Sequence, residues 1–450
     1  MRMPMVMTAM VATLCSGSLL AAVSTEEASA LGKTLTPCGA EIAGNKDGTI
    51  PAYTGGLTSL PGYDETVGKV PDPFPNDKPL YSITAQNYMD YADKLSEGSK
   101  ELFKRNPSWR MDVYQTRRTV ALSQYNQDAC LKNAREAKLE ADGMKIVNAK
   151  GGVPFPIPKT GLEVMWNHLA QPVPIGWRAN VNTWYVSGGK PVLASGGDLM
   201  YYFPWQDPNA PMDNVLTKGF MFIKEPIRQA GQGIAWYDTA DASGGSSRRA
   251  WAYIPGQRRV RATPDADFDT PAASQGGAIF YDDVGLFYGT PSRFDFKLVG
   301  KKEMLIPYNT YKMWHNTPAK DLLQAAHVNP DVTRWELHRV FVVEGTLKAG
   351  QRHSYAKRVF YFDEDTFGGG ISDNFDHSGK LYRSVFAITE QISTKDQKAP
   401  YTMPFWAHDF SSNVYLVSIH MGEQNSNFKA MTKSPAPEWG PEGLKRASLR

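Results

Sequence analysis

The stretch Gly176-Trp177-Arg178-Ala179-Asn180-Val181-Asn182-Thr183-Trp184-Tyr185 decides the fold. Its period is two. Trp177, Ala179, Val181, Thr183 and Tyr185 share one face of a strand, and Arg178, Asn180, Asn182 and Trp184 share the other. Gly188-Gly189 then turns the chain. The same alternation predicts strands at 191–203, 218–224, 232–239, 249–255 and 258–263. It returns at 278–288, 292–300, 303–308, 333–347, 353–363, 380–391 and 412–421. Gly244-Gly245 and Pro255-Gly256 fall between strands as hairpin turns. A short helical patch interrupts at 318–327. No G-x-G-x-x-G stands between a strand and a helix, which argues against a dinucleotide fold. The expected class is mainly β with some α, built on one large antiparallel sheet.

Upstream of this sheet the period changes. Tyr88, Tyr91, Ala92, Leu95 and Leu102 fall on one helical face, which predicts a helix over 82–105 stopped by Asn106-Pro107. A strand is expected at 111–122 and a second helix at 124–141. Gly151-Gly152-Val153-Pro154-Phe155-Pro156-Ile157-Pro158 is rigid. Thr160 and Glu163 then form a capping-box pattern for a third helix over 160–169. Residues 31–80 are rich in glycine and proline and read as an extended arm.

The 450 residues are 42% hydrophobic, 12% aromatic and 21% charged, which excludes a disordered chain. A net charge of +3 lacks the basic bias of a nucleic-acid binder. Residues 1–30 read as a secretory signal peptide: an apolar run from Met5 to Val23 precedes Ala28-Ser29-Ala30, where cleavage is expected. No later run reaches the roughly twenty apolar residues a membrane helix needs. Export leaves Cys38 and Cys130 as the remaining cysteines. In an oxidising compartment they can form a disulfide, and the sequence leaves two buried thiols equally open. A zinc site built on cysteines is excluded, because a close-spaced pair is missing.

The sequence blocks that carry a resemblance run through the whole mature chain. They begin with Leu35-Thr36-Pro37-Cys38-Gly39-Ala40-Glu41, Ala43-Gly44-Asn45 and Asp47-Gly48-Thr49-Ile50-Pro51. They continue through Gly161–Leu169, Arg249–Arg261, Arg293–Met304, Trp335–Leu347 and Lys357–Tyr361. In these blocks the chain resembles the DUF1329 family of exported Gram-negative proteins. Cys38 departs from the family pattern. The resemblance implies a single domain over 31–450 and a fold like that of the periplasmic lipoprotein carriers and their outer-membrane acceptors. That fold is a curved antiparallel sheet, an unclosed barrel, with helices over its open side. It further implies a periplasmic carrier or adaptor for a lipid-like or hydrophobic small molecule, working with an RND-type exporter and an outer-membrane partner. No cofactor and no catalytic residue come with it.

Alternation marks the residues best suited to an apolar lining. Trp251 and Tyr253 point to one side of their strand. Phe341 and Val343 share a face of another, and Phe360 belongs to a third. These five are the expected cargo contacts, and packing against covering helices is the competing reading. Arg258, Arg259 and Arg261 follow the Pro255-Gly256 turn and are candidates for a headgroup or partner contact. The histidines form no H-E-x-x-H, and no serine sits in a G-x-S-x-G elbow, so neither metal nor serine hydrolysis is indicated. Asp282-Asp283 reads as a solvated or capping pair beside a turn, with cation binding as the alternative. The preferred function is a non-catalytic carrier. A cargo-free scaffold of an envelope complex and a periplasmic hydrolase are the alternatives.

Overall fold

The computed structural model describes residues 23–64, 68–423 and 426–447. The apolar part of the expected signal peptide lies outside the described residues. Among the described residues, no helix is long and apolar enough to cross a membrane.

Sixteen strands form the main sheet. From one edge the order is Arg259–Ala262, Arg248–Ile254, Gly233–Thr239, Val215–Glu225, Lys190–Tyr202 and Gly176–Ser187. Next come Val414–His420, Phe405–Asp409, Leu381–Ala387, Gly370–Phe375, Lys357–Asp363 and Trp335–Leu347. Phe294–Pro307 pairs antiparallel along the whole of Trp335–Leu347. Two antiparallel meanders are thus joined at a seam between Gly176–Ser187 and Val414–His420. Arg110–Val113, itself paired with Tyr81–Thr84, meets Trp335 through one parallel bridge.

This topology has one demanding consequence. The first meander walks outward from the seam and ends at Ala262, on one edge. The second begins at Phe294, on the opposite edge, and walks back. Residues 263–293 must therefore cross a face of the sheet. A chain crossing there loses water from its backbone and needs partners for its polar groups. Tyr281 N–H donates to Thr270 O at 3.1 Å, Ala272 N–H donates to Ile279 O at 2.9 Å, and Pro271 bridges Phe280. Thr270–Tyr281 is thus a narrow finger with a 3-10 turn, Ala273–Gln275, at its tip. The strand expected at 278–288 does not form. Alternation was present there, but the residues fold as the finger's return leg and the turn Tyr281–Asp283.

Asp282 and Asp283 are buried, not solvated, while Asp283 does cap its turn by accepting from the Phe280 N–H at 3.1 Å. Arg358 Nη1 donates to Asp282 Oδ2 at 2.9 Å and Arg358 Nη2 to Asp283 Oδ1 at 3.1 Å. Arg383 donates to Asp283 Oδ2 at 2.6 Å and to Asp409 Oδ2 at 2.7 Å. His353 Nε2 lies 2.9 Å from Asp282 Oδ2, and the Tyr355 hydroxyl donates to Asp283 at 2.9 Å. Burial alone would raise the Asp282 carboxyl. Arg358 and His353 outweigh it and hold the group down at about 2. The second meander thereby clamps the root of the crossover.

The expected helices are shorter than the sequence suggests. The first expected helix splits into the strand Tyr81–Thr84, a 3-10 turn Tyr88–Lys94 and a helix Glu97–Arg105. The break falls at Ser96, which caps the last piece by accepting from Ser99 N–H. Only Arg110–Val113 of the 111–122 segment joins the sheet. Gln124–Glu136 and Gly161–Leu169 are helical, and the capping box at Thr160 and Glu163 is present. Strands at Gly370–Phe375 and Phe405–Asp409 went unrecognised in the sequence. The arm is stitched down by Arg339 to Ala43 O at 2.9 Å and by Tyr53 to Val120 O at 2.9 Å. Cys38 and Cys130 form a disulfide with Cα atoms 5.1 Å apart, joining the arm to the Gln124–Glu136 helix. Gly152 lies against that helix with φ +52°, where a Cβ would sit 2.5 Å from Cys130 Sγ.

Arg358→Met tests the clamp. It leaves the Asp282 and Asp283 carboxylates buried and short of a partner, and should cost about 3–5 kcal/mol in urea unfolding. A loss below about 1 kcal/mol would show that the cluster does not hold the fold.

Candidate functional site

Where the crossover passes over the first meander it leaves a cavity of about 80 Å³. Strand register explains the floor. Leu199 stands opposite Met221, and Met221 opposite Ile234, so these three form an apolar row across neighbouring strands. One row further on, Tyr201 faces Gly219, Gly219 faces Trp236, and Trp236 faces Ala250. Val181 and Ile419 extend the wall across the seam. The roof is the finger and its return: Ala272, Ser274, Gln275, Tyr281, Val284 and Tyr288.

Gly219 is required by this arrangement. A Cβ there would lie 2.0 Å from Trp236 Cζ2, so the glycine makes room for the indole to lie across the strand. The indole N–H then donates to the Tyr288 hydroxyl at 2.9 Å, joining floor to roof. Tyr288 is packed under Arg248, whose guanidinium carbon is 4.4 Å from the ring centroid.

Arg248 supplies the cavity's charge. Its side chain is 5% exposed, and Nε donates to Asp238 Oδ1 at 2.7 Å. Burial pushes the Asp238 carboxyl up, while Arg248 opposes that shift. Among the described residues, neither Arg248 Nη2 nor Gln275 Oε1 in the roof finds a hydrogen-bond partner, and both are buried. A mostly apolar space with a few unsatisfied polar groups at its margin is suited to an amphipathic ligand.

None of the five expected cargo contacts lines this cavity. Phe341, Val343 and Phe360 are buried in a filled core beneath the second half of the crossover. Phe341 stacks on Phe367 with centroids 5.2 Å apart, and Phe287 meets Phe360 edge-on at 5.9 Å. Trp251 and Tyr253 project from the opposite face of their strand from Ala250. They pack with Phe220, Phe222 and Leu444 of the C-terminal helix Pro441–Ala447. The alternation was right, but it cannot tell which face carries the space. The residues missed, Leu199, Met221 and Ile234, alternate as well as those chosen. Their distinguishing feature is a neighbour far away in sequence, the finger. Arg258, Arg259 and Arg261 are solvent-exposed on the edge strand and its turn and do not line the cavity.

The comparisons with known proteins agree with the family signature. The family model described as a protein of unknown function (DUF1329) matches residues 82–445, and the chain belongs to that family. It is 36% identical over 451 residues to an uncharacterized protein of Pseudomonas aeruginosa, with 97% of both chains covered. Among solved structures, a DUF1329 protein from Desulfovibrio piger overlaps 62% of this chain and 92% of its own at 12% identity, with a TM-score of 0.37. A LolA-superfamily protein from Nitrosomonas europaea overlaps 61% of this chain and 94% of its own at 11% identity, with a TM-score of 0.34.

Gly219→Ala should force Trp236 off the cavity floor and break its bond to Tyr288. The expected cost is about 1–3 kcal/mol in thermal or urea unfolding, together with a changed near-ultraviolet tryptophan signal. Unchanged stability and an unchanged spectrum would show that the indole is not held as described.

Proposed function

We propose that this protein is a non-catalytic carrier that holds a lipid-like molecule against the sheet, beneath the Thr270–Tyr281 finger. The observation that carries the reading is the apolar cavity between the Leu199–Met221–Ile234 row and the finger. Each methylene taken from water contributes about 0.8 kcal/mol, so a chain needs no specific polar contact to be retained. A hydrogen-bond acceptor on the head of the molecule would satisfy Arg248 Nη2.

The cavity of about 80 Å³ is small for such a cargo. A cavity of about 150 Å³ accommodates one benzene ring. A long chain therefore enters only when the finger lifts. Its anchoring fits that requirement. The root is clamped by Asp282 and Asp283, and Asp267 on the outgoing leg accepts from Ser246 and Thr290, each at 2.8 Å. The tip is tied to the sheet by the Ser195 hydroxyl donating to Ser274 O at 2.6 Å. Opening and closing the tip while its base stays fixed makes a gate, and the curved, unclosed sheet expected of the fold belongs to the same proposal.

The cell envelope is the setting we assign. The leader-like residues 1–30 and the Cys38–Cys130 disulfide both support export to an oxidising compartment, the periplasm. A carrier there would exchange its cargo with an RND-type exporter and an outer-membrane protein. The exposed Arg258, Arg259 and Arg261 offer a cationic surface for an acidic partner.

Ala250→Phe decides between a cargo site and a packing defect. The added ring fills the cavity from its floor. Binding of a fluorescent fatty acid should fall at least about tenfold while thermal stability holds or rises. Unchanged binding by a folded variant would remove this cavity from the function.

A further inference from the structure

A second constellation stands in the other meander, outside the cavity just described. The strands Trp335–Leu347 and Lys357–Asp363 pair antiparallel with Val340 opposite Asp363. This register and the turn after Asp363 gather His338, Asp363 and Asp365. One ligand atom from each lies within 4.8 Å of the other two. His338 and Asp363 are buried, and the Asp365 side chain is 3% exposed.

The hydrogen bonds around His338 orient it. Its Nε2 lies 3.2 Å from Glu336 Oε2. Glu336 is itself fixed: it accepts from Arg334 Nε at 2.6 Å, from Asn309 Nδ2 at 3.0 Å and from the Arg117 N–H at 2.8 Å. Glu336 engages Nε2, which leaves Nδ1 as the ring nitrogen that faces the two aspartates. Nδ1 lies 3.5 Å from Asp363 Oδ1. Asp363 Oδ2 is occupied by Thr366, accepting its N–H at 3.0 Å and its hydroxyl at 2.9 Å. Asp363 Oδ1 is buried and accepts no hydrogen bond among the described residues.

A buried carboxylate oxygen without a hydrogen bond is costly unless a positive species meets it. A separation of 3.5 Å is long for a shared proton. It fits two ligands of one tetrahedral ion, each about 2.1 Å from the metal and roughly 3.4 Å from one another. Asp365 binds Arg118 through both oxygens, at 2.6 and 2.9 Å, and each oxygen keeps a further lone pair. The Tyr308 ring stacks on His338 with centroids 3.7 Å apart. Its hydroxyl is buried with no partner and is under the influence of the Asp363 and Asp365 charges.

We propose that His338 Nδ1, Asp363 Oδ1 and an oxygen of Asp365 form a binding site for a divalent first-row cation of the zinc class. One imidazole and two carboxylates suit such an ion, whereas calcium prefers six to eight oxygens. Glu336 takes the part of the carboxylate that orients a ligating histidine. Asp365 also lines a cavity of about 210 Å³ bordered by Thr36, Pro37, Cys38 and Tyr53 of the arm, which gives the ion a route in. The site lies where the arm meets the sheet, so its occupancy would tie the two together.

Zinc chloride titrated into chelator-treated, full-length mature protein tests the assignment by calorimetry. One ion per chain is expected, with affinity lowered about 10- to 100-fold in Asp365→Asn and in His338→Gln. Zinc-edge X-ray absorption on the wild type should show a single imidazole with oxygen ligands, which keeps the test decisive if a variant fails to fold. No binding by the wild type, equal affinity in the folded variants, or a shell with several imidazoles would overturn the proposal.

Discussion

The ion cluster of Asp282, Asp283, Arg358 and Arg383 is the contact on which the architecture depends. Two meanders that begin and end at a common seam leave their connecting segment stranded between opposite edges of the sheet. That segment cannot take its hydrogen bonds from the sheet ladder, and its apolar side chains alone would not fix its path. Placing adjacent aspartates on its return leg and arginines on two strands beneath gives it a fixed point. The arrangement is expensive. Arg358 is fully buried and donates through all three of its nitrogens, whereas Asp282 Oδ1 and Arg383 Nε find no hydrogen-bond partner among the described residues.

Fixing the crossover at its root divides the space under it into two regimes. Near the clamp, Phe287, Phe360 and Phe362 pack ring against ring, and Phe341 stacks on Phe367. Beyond it the finger reaches over the first meander and leaves the cavity. In the proposed reading the same segment provides a packed core at one end and a gate at the other. The difference follows from what each part touches: an ion cluster in one place, a serine hydroxyl and apolar contacts in the other.

Alternation over 177–185 was legible because the period-two pattern is local and the strand is long. So was the capped helix at Gly161–Leu169, whose signal is a proline-rich stop followed by Thr160 and Glu163. The segment 278–288 misled because alternating apolar residues in a crossover look like a strand. Only the position of its neighbours says otherwise. Asp282-Asp283 read as a solvated or capping pair: the cap is local and legible, whereas the arginines that bury the pair lie more than seventy positions downstream, at 358 and 383. For the same reason Trp251 and Phe341 were indistinguishable from Leu199 and Met221. Sequence gives the phase of a strand, and the choice of face belongs to the tertiary structure.

A carrier must hold its cargo at one place, and that place can be mapped directly. A fatty acid bearing a photoreactive group along its chain, cross-linked to the folded protein and located by peptide mass spectrometry, tests the central claim. Labelled peptides should contain Leu199–Tyr201, Met221, Ile234–Trp236 and the finger residues from Ala272 to Tyr288. Labels confined to Trp251, Tyr253 and the Pro441–Ala447 helix would place the cargo on the opposite face, and would contradict the account.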